Sequence, residues 1–317
     1  MLCTQPIAYI LKGSDNMAHF DLPENRKFRI CQFTDIHLEA DERFALADKT
    51  YALIRQTIRD TKPDLITISG DLAWGGADRE SIDNLVEELG AFDIPWAPVL
   101  GNHDGERLGD KGEGGRRLFA GFLLNRRNCL FELGPESVDG WGNYVITVGG
   151  TPKNPAWAVF MLDSHRGSFA RNQINWYAET SASFGPGHSE LAFFHVPIPE
   201  YSEVWDYEPC KGFNQERVCA TDLNDGLFSA MVHSGAMRGV FVGHDHINDY
   251  EGTLHGIRLC YGRGSGYQCY GLEGFAHGAR IIDIGAGADF DTSIYLETGE
   301  QYVQKFLRKP KLRRKWE

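Results

Sequence analysis

The sequence has 317 residues, of which 42% are hydrophobic and 12% aromatic, a composition that excludes disorder over most of the chain and provides a core large enough to need no disulfides. The formal net charge is −12, and seven of the 32 Lys and Arg residues lie within the last thirteen positions, so the acidic body of the chain argues against general nucleic-acid binding. There is no run of about 18 uncharged apolar residues, which predicts no membrane span, and seven Cys without a C-x-x-C motif favour free thiols and a cytoplasmic location.

Strands and helices alternate in the first part of the chain. Residues 28–34 and 65–70 are apolar runs typical of buried strands. Residues 95–101 form a third strand-like run, whose two prolines either argue against a strand or place it at a sheet edge. Helices are predicted where apolar side chains recur every three or four positions, at Phe44, Ala47, Tyr51, Ile54 and Ile58 and again at Ile82, Leu85, Val86 and Leu89.

The same alternation continues and then gives way to strands alone. Further strands are predicted at 157–163, 191–194 and 239–243, and further helices at 115–126, 172–183 and 224–234. Residues 250–306 are predicted to form β-hairpins. Parallel crossover units followed by antiparallel strands indicate one mixed α/β domain.

Five of the predicted strands end in residues that can bind a metal ion. These residues are Asp35-Ile36-His37, Asp71, Asn102-His103-Asp104, His195 and His244-Asp245-His246. In open α/β sheets, ligands bind at the carboxyl ends of strands. Each short motif occurs often by chance, but the whole ordered series does not, so the series indicates a metal site.

In this order, the motifs resemble those of the calcineurin-like metallophosphoesterases. Residues 193–201, 239–252 and 259–271 are similar to the fungal and plant branch of single-domain phosphatases related to purple acid phosphatases. The resemblance implies an α/β fold in the form of a four-layer αββα sandwich with two mixed central sheets. It divides the chain into an N-terminal extension (1–27), a metallophosphoesterase domain (28–306) and a basic C-terminal tail (307–317).

The resemblance also implies two metal ions, with Mn, Fe or Zn as candidates, since carboxylate and imidazole ligands suit these metals and no Cys occupies a candidate ligand position. One ion would be held by Asp35, His37, Asp71 and His246, and the other by Asp71, Asn102, His195 and His244, so that Asp71 bridges the two. Trp74 stands where purple acid phosphatases carry a Tyr ligand. We therefore expect no tyrosinate–iron colour.

The activity implied is hydrolysis of a phosphate ester by a metal-activated hydroxide that attacks phosphorus, with Asn102 and His103 stabilising the added charge. Asp104 would hold the His103 ring or cap a helix, two roles that are compatible with each other. A phosphomonoesterase is the first expectation, and a phosphodiesterase acting on cyclic nucleotides or phospholipid head groups is the alternative. A non-catalytic scaffold is disfavoured because none of the ligand positions is lost.

Substrate selection is assigned to the loops that follow the strands. Arg107 and Arg116 are candidates to bind a second phosphate or a carboxylate, with solvated loop charges as the alternative. Tyr201 is a candidate for an aromatic wall, or else it fastens the loop 197–213 to the body. His165 is a candidate outer-shell residue. The glycine-rich segment 262–266 is predicted to form a tight turn near the site.

Overall fold

The structure is a computed structural model that describes residues 17–39, 44–74, 79–109 and 112–312. Among these residues, a six-stranded sheet carries three of the five predicted ligand loops. In spatial order its strands are β14 (Gln301–Tyr302), β13 (Phe290–Leu296), β12 (Gly278–Ile284), β2 (Phe28–Phe33), β3 (Leu65–Ser69) and β4 (Trp96–Val99). β2, β3 and β4 are parallel and β12, β13 and β14 are antiparallel, so the sheet is mixed. The edge position predicted for the strand with two prolines is confirmed, because β4 ends the sheet.

A nine-stranded mixed sheet carries the other two ligand loops. In spatial order its strands are β1 (Ala18–Phe20), β5 (Tyr144–Thr151), β6 (Asn154–Met161), β7 (Ser189–Phe193), β9 (Met237–Val242), β11 (Ile257–Tyr261), β10 (Glu251–Leu254), β8 (Cys210–Lys211) and β15 (Phe306–Arg308). The run from β6 through β7 and β9 to β11 is parallel, so the carboxyl ends of β7 and β9 lie side by side.

In the part of the chain that the structure describes, six helices cover the two sheets. They are α1 (Phe44–Thr61), α2 (Arg79–Gly90), α3 (Glu113–Leu123), α4 (Arg171–Ser183), α5 (Glu200–Tyr207) and α6 (Leu227–Ser234). Alternate side chains of the nine-stranded sheet face different cores: Phe241 packs toward the six-stranded sheet, whereas Val240 and Val242 pack with α4, α5 and α6. Helices α1, α2 and α3 pack on the six-stranded sheet. The predicted four-layer αββα sandwich with two mixed sheets is confirmed.

The structure differs from the predicted elements at several places. The helix predicted at 224–234 begins only at Leu227, because Gly226 has a φ of +93° and Asn224 instead accepts a hydrogen bond from the Gly226 N–H. The segment 197–213, predicted as a loop, contains α5. Strand β5 lies in a glycine-rich stretch for which no strand was predicted.

Both chain ends of the described region add strands to the larger sheet. β1 belongs to the predicted N-terminal extension and pairs in parallel with β5, and β15 crosses the predicted start of the basic tail and pairs with β8. These pairings attach both predicted end segments to the larger sheet, and the division at residues 27 and 306 stays a prediction. Among the described residues, no helix combines the length and apolar character needed to cross a bilayer.

Candidate metal centre

The loops that follow β2 and β3 are tied together where the first ligand-type residues occur. Asp35 N–H donates to Gly70 O over 3.2 Å, and His37 N–H donates to Asp71 O over 2.9 Å. Asp35, His37 and Asp71 have φ values of +54°, +49° and +50°. Residues other than glycine rarely adopt this left-handed conformation, which costs about 1–3 kcal/mol and is concentrated at functional sites.

One group of buried side chains gathers between these loops and the loop after β9. The Nε2 atoms of His37 and His246 are 3.1 Å apart. Asp71 Oδ2 lies 3.5 Å from His37 Nε2, and Asp35 Oδ1 lies 3.5 Å from His246 Nε2. Two nitrogens and two carboxylate oxygens thus face one another at distances that a shared cation can span.

A second group shares Asp71 with the first. His195 Nε2, on the loop after β7, lies 3.0 Å from Asp71 Oδ2, and the ring of His244 contacts the ring of His195 edge-on at 5.2 Å. Ligand atoms of Asp71, His195 and His244 all lie within 4.8 Å of one another. Asp71 therefore lies between the two groups, as a bridging carboxylate would.

Backbone carbonyls orient two of the imidazoles toward this cluster. His195 Nδ1–H donates to Ser69 O over 2.8 Å, and His246 Nδ1–H donates to Tyr270 O over 3.2 Å. A proton on Nδ1 leaves the lone pair on Nε2, which is the nitrogen that faces the carboxylates. This arrangement is typical of histidines that bind metals.

The electrostatics of the cluster also suit cations. Burial lowers the pKa of both His37 and His244 to about 3, which keeps these imidazoles neutral as metal binding requires. Burial acts to lower the pKa of His195 as well, but Asp71 and Asp35 raise it to about 9. The two carboxylates thus favour positive charge at the centre of the cluster.

Asn102, after β4, supplies a further donor. Its Oδ1 is buried and has no hydrogen-bond partner in the described part of the chain, a costly state for an amide oxygen unless a cation satisfies it. The next residue, His103, donates its N–H to Asp71 Oδ1 over 2.9 Å. With two carboxylates, four imidazoles and this amide oxygen, the donor set fits two transition or divalent metal ions.

Glycines at the strand ends let these side chains approach one another. A Cβ on Gly70 would lie 2.4 Å from His195 Nδ1, and a Cβ on Gly243 would lie 1.9 Å from Thr34 Oγ1. A Cβ on Gly101 would lie 2.1 Å from Asp71 Oδ1 and 2.2 Å from Asp71 N. The glycine in each motif is therefore required by close packing.

Gly101→Ala is expected to displace the Asp71 loop, because one of the atoms that its Cβ meets is backbone and cannot rotate away. Overpacking of this kind costs about 1–3 kcal/mol in the free energy of unfolding, and the variant should also bind fewer than two metal ions. Urea denaturation and metal analysis test this. Gly121→Ala is the control, since its Cβ meets nothing within 4 Å and the helix should gain about 0.5–1 kcal/mol; equal stability of the two variants would contradict the packing argument.

His103 lies at the rim of the cluster and is held by Glu106. Its Nδ1 is 2.8 Å from Glu106 Oε2, and its ring stacks on Trp74 at 4.7 Å with an interplanar angle of 12°. Trp74 also contacts His37 at 4.7 Å. Glu106 was not among the predicted site residues, although its spacing of three residues from His103 was a signal that a turn would bring the two together.

Asp104 has neither of the two predicted roles. It is fully buried and accepts hydrogen bonds from Ala73 N–H over 2.9 Å and Gly101 N–H over 2.8 Å, so it ties the β3 and β4 loops together. It does not hold the His103 ring, and residues 102–109 form bends and turns, with α3 beginning only at Glu113. Burial raises the pKa of this carboxyl.

Arg116 is a structural residue, which corrects its prediction as a substrate ligand. Its guanidinium donates to Asp163 Oδ1 and to Gly101 O, both over 2.6 Å, and the side chain is 8% exposed. Asp163 also accepts from Trp141 N–H and His165 N–H. This buried pair fixes the carbonyl that precedes Asn102.

Arg116→Ala is expected to lower the free energy of unfolding by about 3–5 kcal/mol, because it leaves the Asp163 carboxylate buried without its partner. Arg117→Ala, at the adjacent exposed position, should change it by less than about 0.5 kcal/mol. Chemical denaturation of both variants measures the difference. A stable Arg116→Ala protein with a raised KM would instead restore the substrate role.

The other candidate substrate residues fall in different places. Tyr201 is fully buried and donates its hydroxyl to Val240 O over 2.9 Å, so it fastens α5 to the sheet and cannot form a wall of the site. Arg107 is exposed on the loop after Glu106. His165 lines a cleft of about 1160 Å³ that opens beside Asn102. The glycine-rich segment 262–266 lies near the site as predicted, since Gly266 N–H donates to Asp35 O over 3.0 Å, but these residues form no turn, which corrects that part of the prediction.

Comparison with known proteins places this arrangement among phosphoesterases. A sequence model of the calcineurin-like phosphoesterase family matches residues 28–248. A protein of Arabidopsis thaliana called probable inactive purple acid phosphatase 28 is 32% identical over 326 residues, covering 89% of this chain and 81% of its own length. The phosphatase DCR2 of Saccharomyces cerevisiae is 28% identical over 283 residues, covering 75% of this chain and 48% of its own length. A dimetal phosphatase from Danio rerio has the same fold, with a TM-score of 0.58 and 14% identity over 84% of this chain and 99% of its own.

Proposed function

The chain belongs to the calcineurin-like phosphoesterase family of metal-dependent phosphoric ester hydrolases, and from this premise we propose that it is a phosphomonoesterase with a two-metal centre. The first cation site consists of Asp35, His37, Asp71 and His246. The second cation site consists of Asp71, Asn102, His195 and His244. The observation that carries the proposal is the pair of ligand clusters that share Asp71.

The charge of the centre suits a phosphate ester within an acidic protein. When bound, two divalent cations stabilise negative charge on the phosphoryl group and lower the pKa of water enough for attack near neutral pH. Asp35 and Asp71 offset about half of the four positive charges, so the centre keeps a net attraction for a phosphate dianion. Mn, Fe and Zn remain the candidate metals.

His103 is the residue placed to act on the leaving group. Because Glu106 occupies its Nδ1, its Nε2 is the nitrogen available to a substrate. The contact with Glu106 orients the ring, and a proton carried on Nε2 can pass to the departing oxygen. With its Oδ1 in the second cation site, Asn102 can direct its amide N–H groups at a phosphate oxygen.

The cleft beside Asn102 is proposed to hold the alcohol part of the substrate. It is lined by apolar residues such as Leu133 and Trp141 and by the exposed side chain of Arg166. This mixed lining supports an organic leaving group larger than a simple alcohol.

The six described cysteines are free thiols, which supports the cytoplasmic location proposed here.

A paired rate assay tests the proposal, with p-nitrophenyl phosphate and bis(p-nitrophenyl) phosphate as substrates and either added Mn²⁺ or Zn²⁺ or a chelator. We expect metal-dependent turnover that is faster with the monoester. Faster turnover of the bis-ester would replace the proposal with a phosphodiesterase. A protein that binds no stoichiometric pair of metal ions and turns over neither ester would be a scaffold.

A further inference from the structure

We propose that the sulfur of Cys269 is a ligand of the cation in the first cation site, which makes this half of the centre selective for thiophilic divalent ions such as Zn²⁺ and Fe²⁺. The inference rests on the ligand assignment of the proposed function and goes beyond it, because it adds a donor of a different class. It differs from the expectation that no Cys occupies a candidate ligand position.

The position of the sulfur carries the inference. Cys269 Sγ and ligand nitrogens of His37 and His246 all lie within 4.8 Å of one another. A nitrogen and a sulfur bound to one metal ion at about 2.0–2.3 Å are separated by roughly 3–3.5 Å. The observed upper limit of 4.8 Å is about 1–2 Å above this separation, so the three atoms are close enough for us to assign them to one ion.

The loop that carries Cys269 is built around the first cation site. Tyr270, the next residue, accepts the His246 Nδ1–H through its carbonyl and stacks its ring on the same imidazole at 4.0 Å, with an interplanar angle of 13°. Upstream, Gly266 packs so closely that a Cβ there would lie 2.2 Å from Ile36 O. Cys269 is thus held between two anchors that both contact ligand-bearing segments.

The other contacts of the sulfur leave it free to bind a cation. Sγ is 3.3 Å from Gly266 O and 3.7 Å from Asp35 O, distances at which a thiol makes only weak hydrogen bonds. When the sulfur–metal bond forms, the thiol proton passes to solvent and the thiolate joins Asp35 and Asp71 as a third negative ligand. Trp74, whose ring contacts that of His37 at 4.7 Å, offers no ligand atom.

The chemical consequence is a preference among metals. Thiolate ligands favour Zn²⁺ and Fe²⁺, whereas sites made only of carboxylate, amide and water oxygens suit Mn²⁺ and Mg²⁺. Loss of the sulfur should therefore weaken Zn²⁺ more than Mn²⁺. We expect Cys269→Ser to lower Zn²⁺ affinity by about tenfold or more, because loss of a residue that only contacts a ligand already lowers metal affinity by about that factor. The same substitution should change Mn²⁺ affinity by less than about threefold.

Cobalt substitution tests the bond itself. The metal-free protein is titrated with two equivalents of Co²⁺, and its near-ultraviolet spectrum is searched for a sulfur-to-cobalt charge-transfer band. The band should be present in the wild type and absent from Cys269→Ser. Cys219→Ser is the decisive control, since Cys219 Sγ lies within 4.8 Å of ligand atoms of His244 and Asp245; Cys129→Ser, on the loop after α3, controls for thiol content.

A second measurement uses only the wild-type protein, so its result does not depend on whether a variant folds. X-ray absorption at the zinc edge should show a sulfur neighbour at about 2.3 Å in addition to nitrogen and oxygen at about 2.0–2.2 Å. Two bound metal ions without a sulfur neighbour, or a cobalt band that survives in Cys269→Ser, would overturn the inference and leave the phosphatase proposal standing. A wild type that binds no metal would overturn both.

Discussion

Asp71→Asn is expected to abolish turnover and to lower the metal content from two ions per chain to one or fewer. The amide keeps the size of the side chain and can still accept the hydrogen bond from His103 N–H. It loses the negative charge that draws two cations to one bridging position. A loss of about 4 kcal/mol or more of transition-state stabilisation corresponds to a fall of about 10³-fold in kcat/KM.

Asp93→Asn is the matched control for this substitution. Asp93 also has a left-handed backbone, with a φ of +53° against +50° for Asp71, but its side chain is 77% exposed. Any backbone effect of asparagine is therefore shared by both variants, while the charge at the centre changes only in one. Elemental analysis and the monoester assay report the outcome, and near-normal turnover of Asp71→Asn would refute the assignment of the bridging ligand.

The His103→Ala variant is expected to keep both metal ions. Its kcat/KM should fall more for esters with poorer leaving groups. General acid catalysis contributes about 10²–10⁴-fold, so an alkyl phosphate should slow by that factor. p-Nitrophenyl phosphate should slow by only about tenfold, because its leaving group needs little protonation. The measurement is kcat/KM for a series of monoesters, together with metal analysis of each protein.

Glu106→Gln should act in the same direction and more weakly, since glutamine can still accept a hydrogen bond from His103 Nδ1–H but supplies no charge. His233→Ala is the control for loss of an imidazole, because His233 is exposed on α6. Loss of metal from His103→Ala, or an equal slowing of all esters, would contradict the role of His103 as the acid.

Trp74 and Cys269 are two residues at the first cation site that lie outside the ligand motifs shared with the family. Trp74 stacks on His103 and contacts His37 without offering a ligand atom, so it packs the rim of the centre. If Cys269 supplies a thiolate, the anionic ligand comes from a loop near the C-terminal end of the fold and the metal preference shifts toward zinc and ferrous iron. The metal assays therefore measure a property that the shared motifs do not determine.

The sequence pattern by itself predicted a mixed α/β domain, most of the strands and a metal site at the strand ends, whereas the four layers and the set of seven ligands were implied by the family resemblance. Each ligand follows an apolar run long enough to be a buried strand, and parallel strands present their carboxyl ends at one edge of a sheet. Asp35 and His246 are more than two hundred positions apart, yet both follow strands and meet at 3.5 Å. Local pattern was sufficient because strand direction determines where these residues lie.

The pairing of side chains was decided only by the tertiary structure. Arg116 meets Asp163 across 47 positions, Glu106 rather than Asp104 reaches the His103 ring, and the neighbours of Cys269 come from distant loops. Such contacts depend on loop conformation and on burial, and hydrophobic periodicity carries no information about either. Charged residues in a loop have the same sequence signature whether they face solvent or a buried partner, and packing alone separates the two.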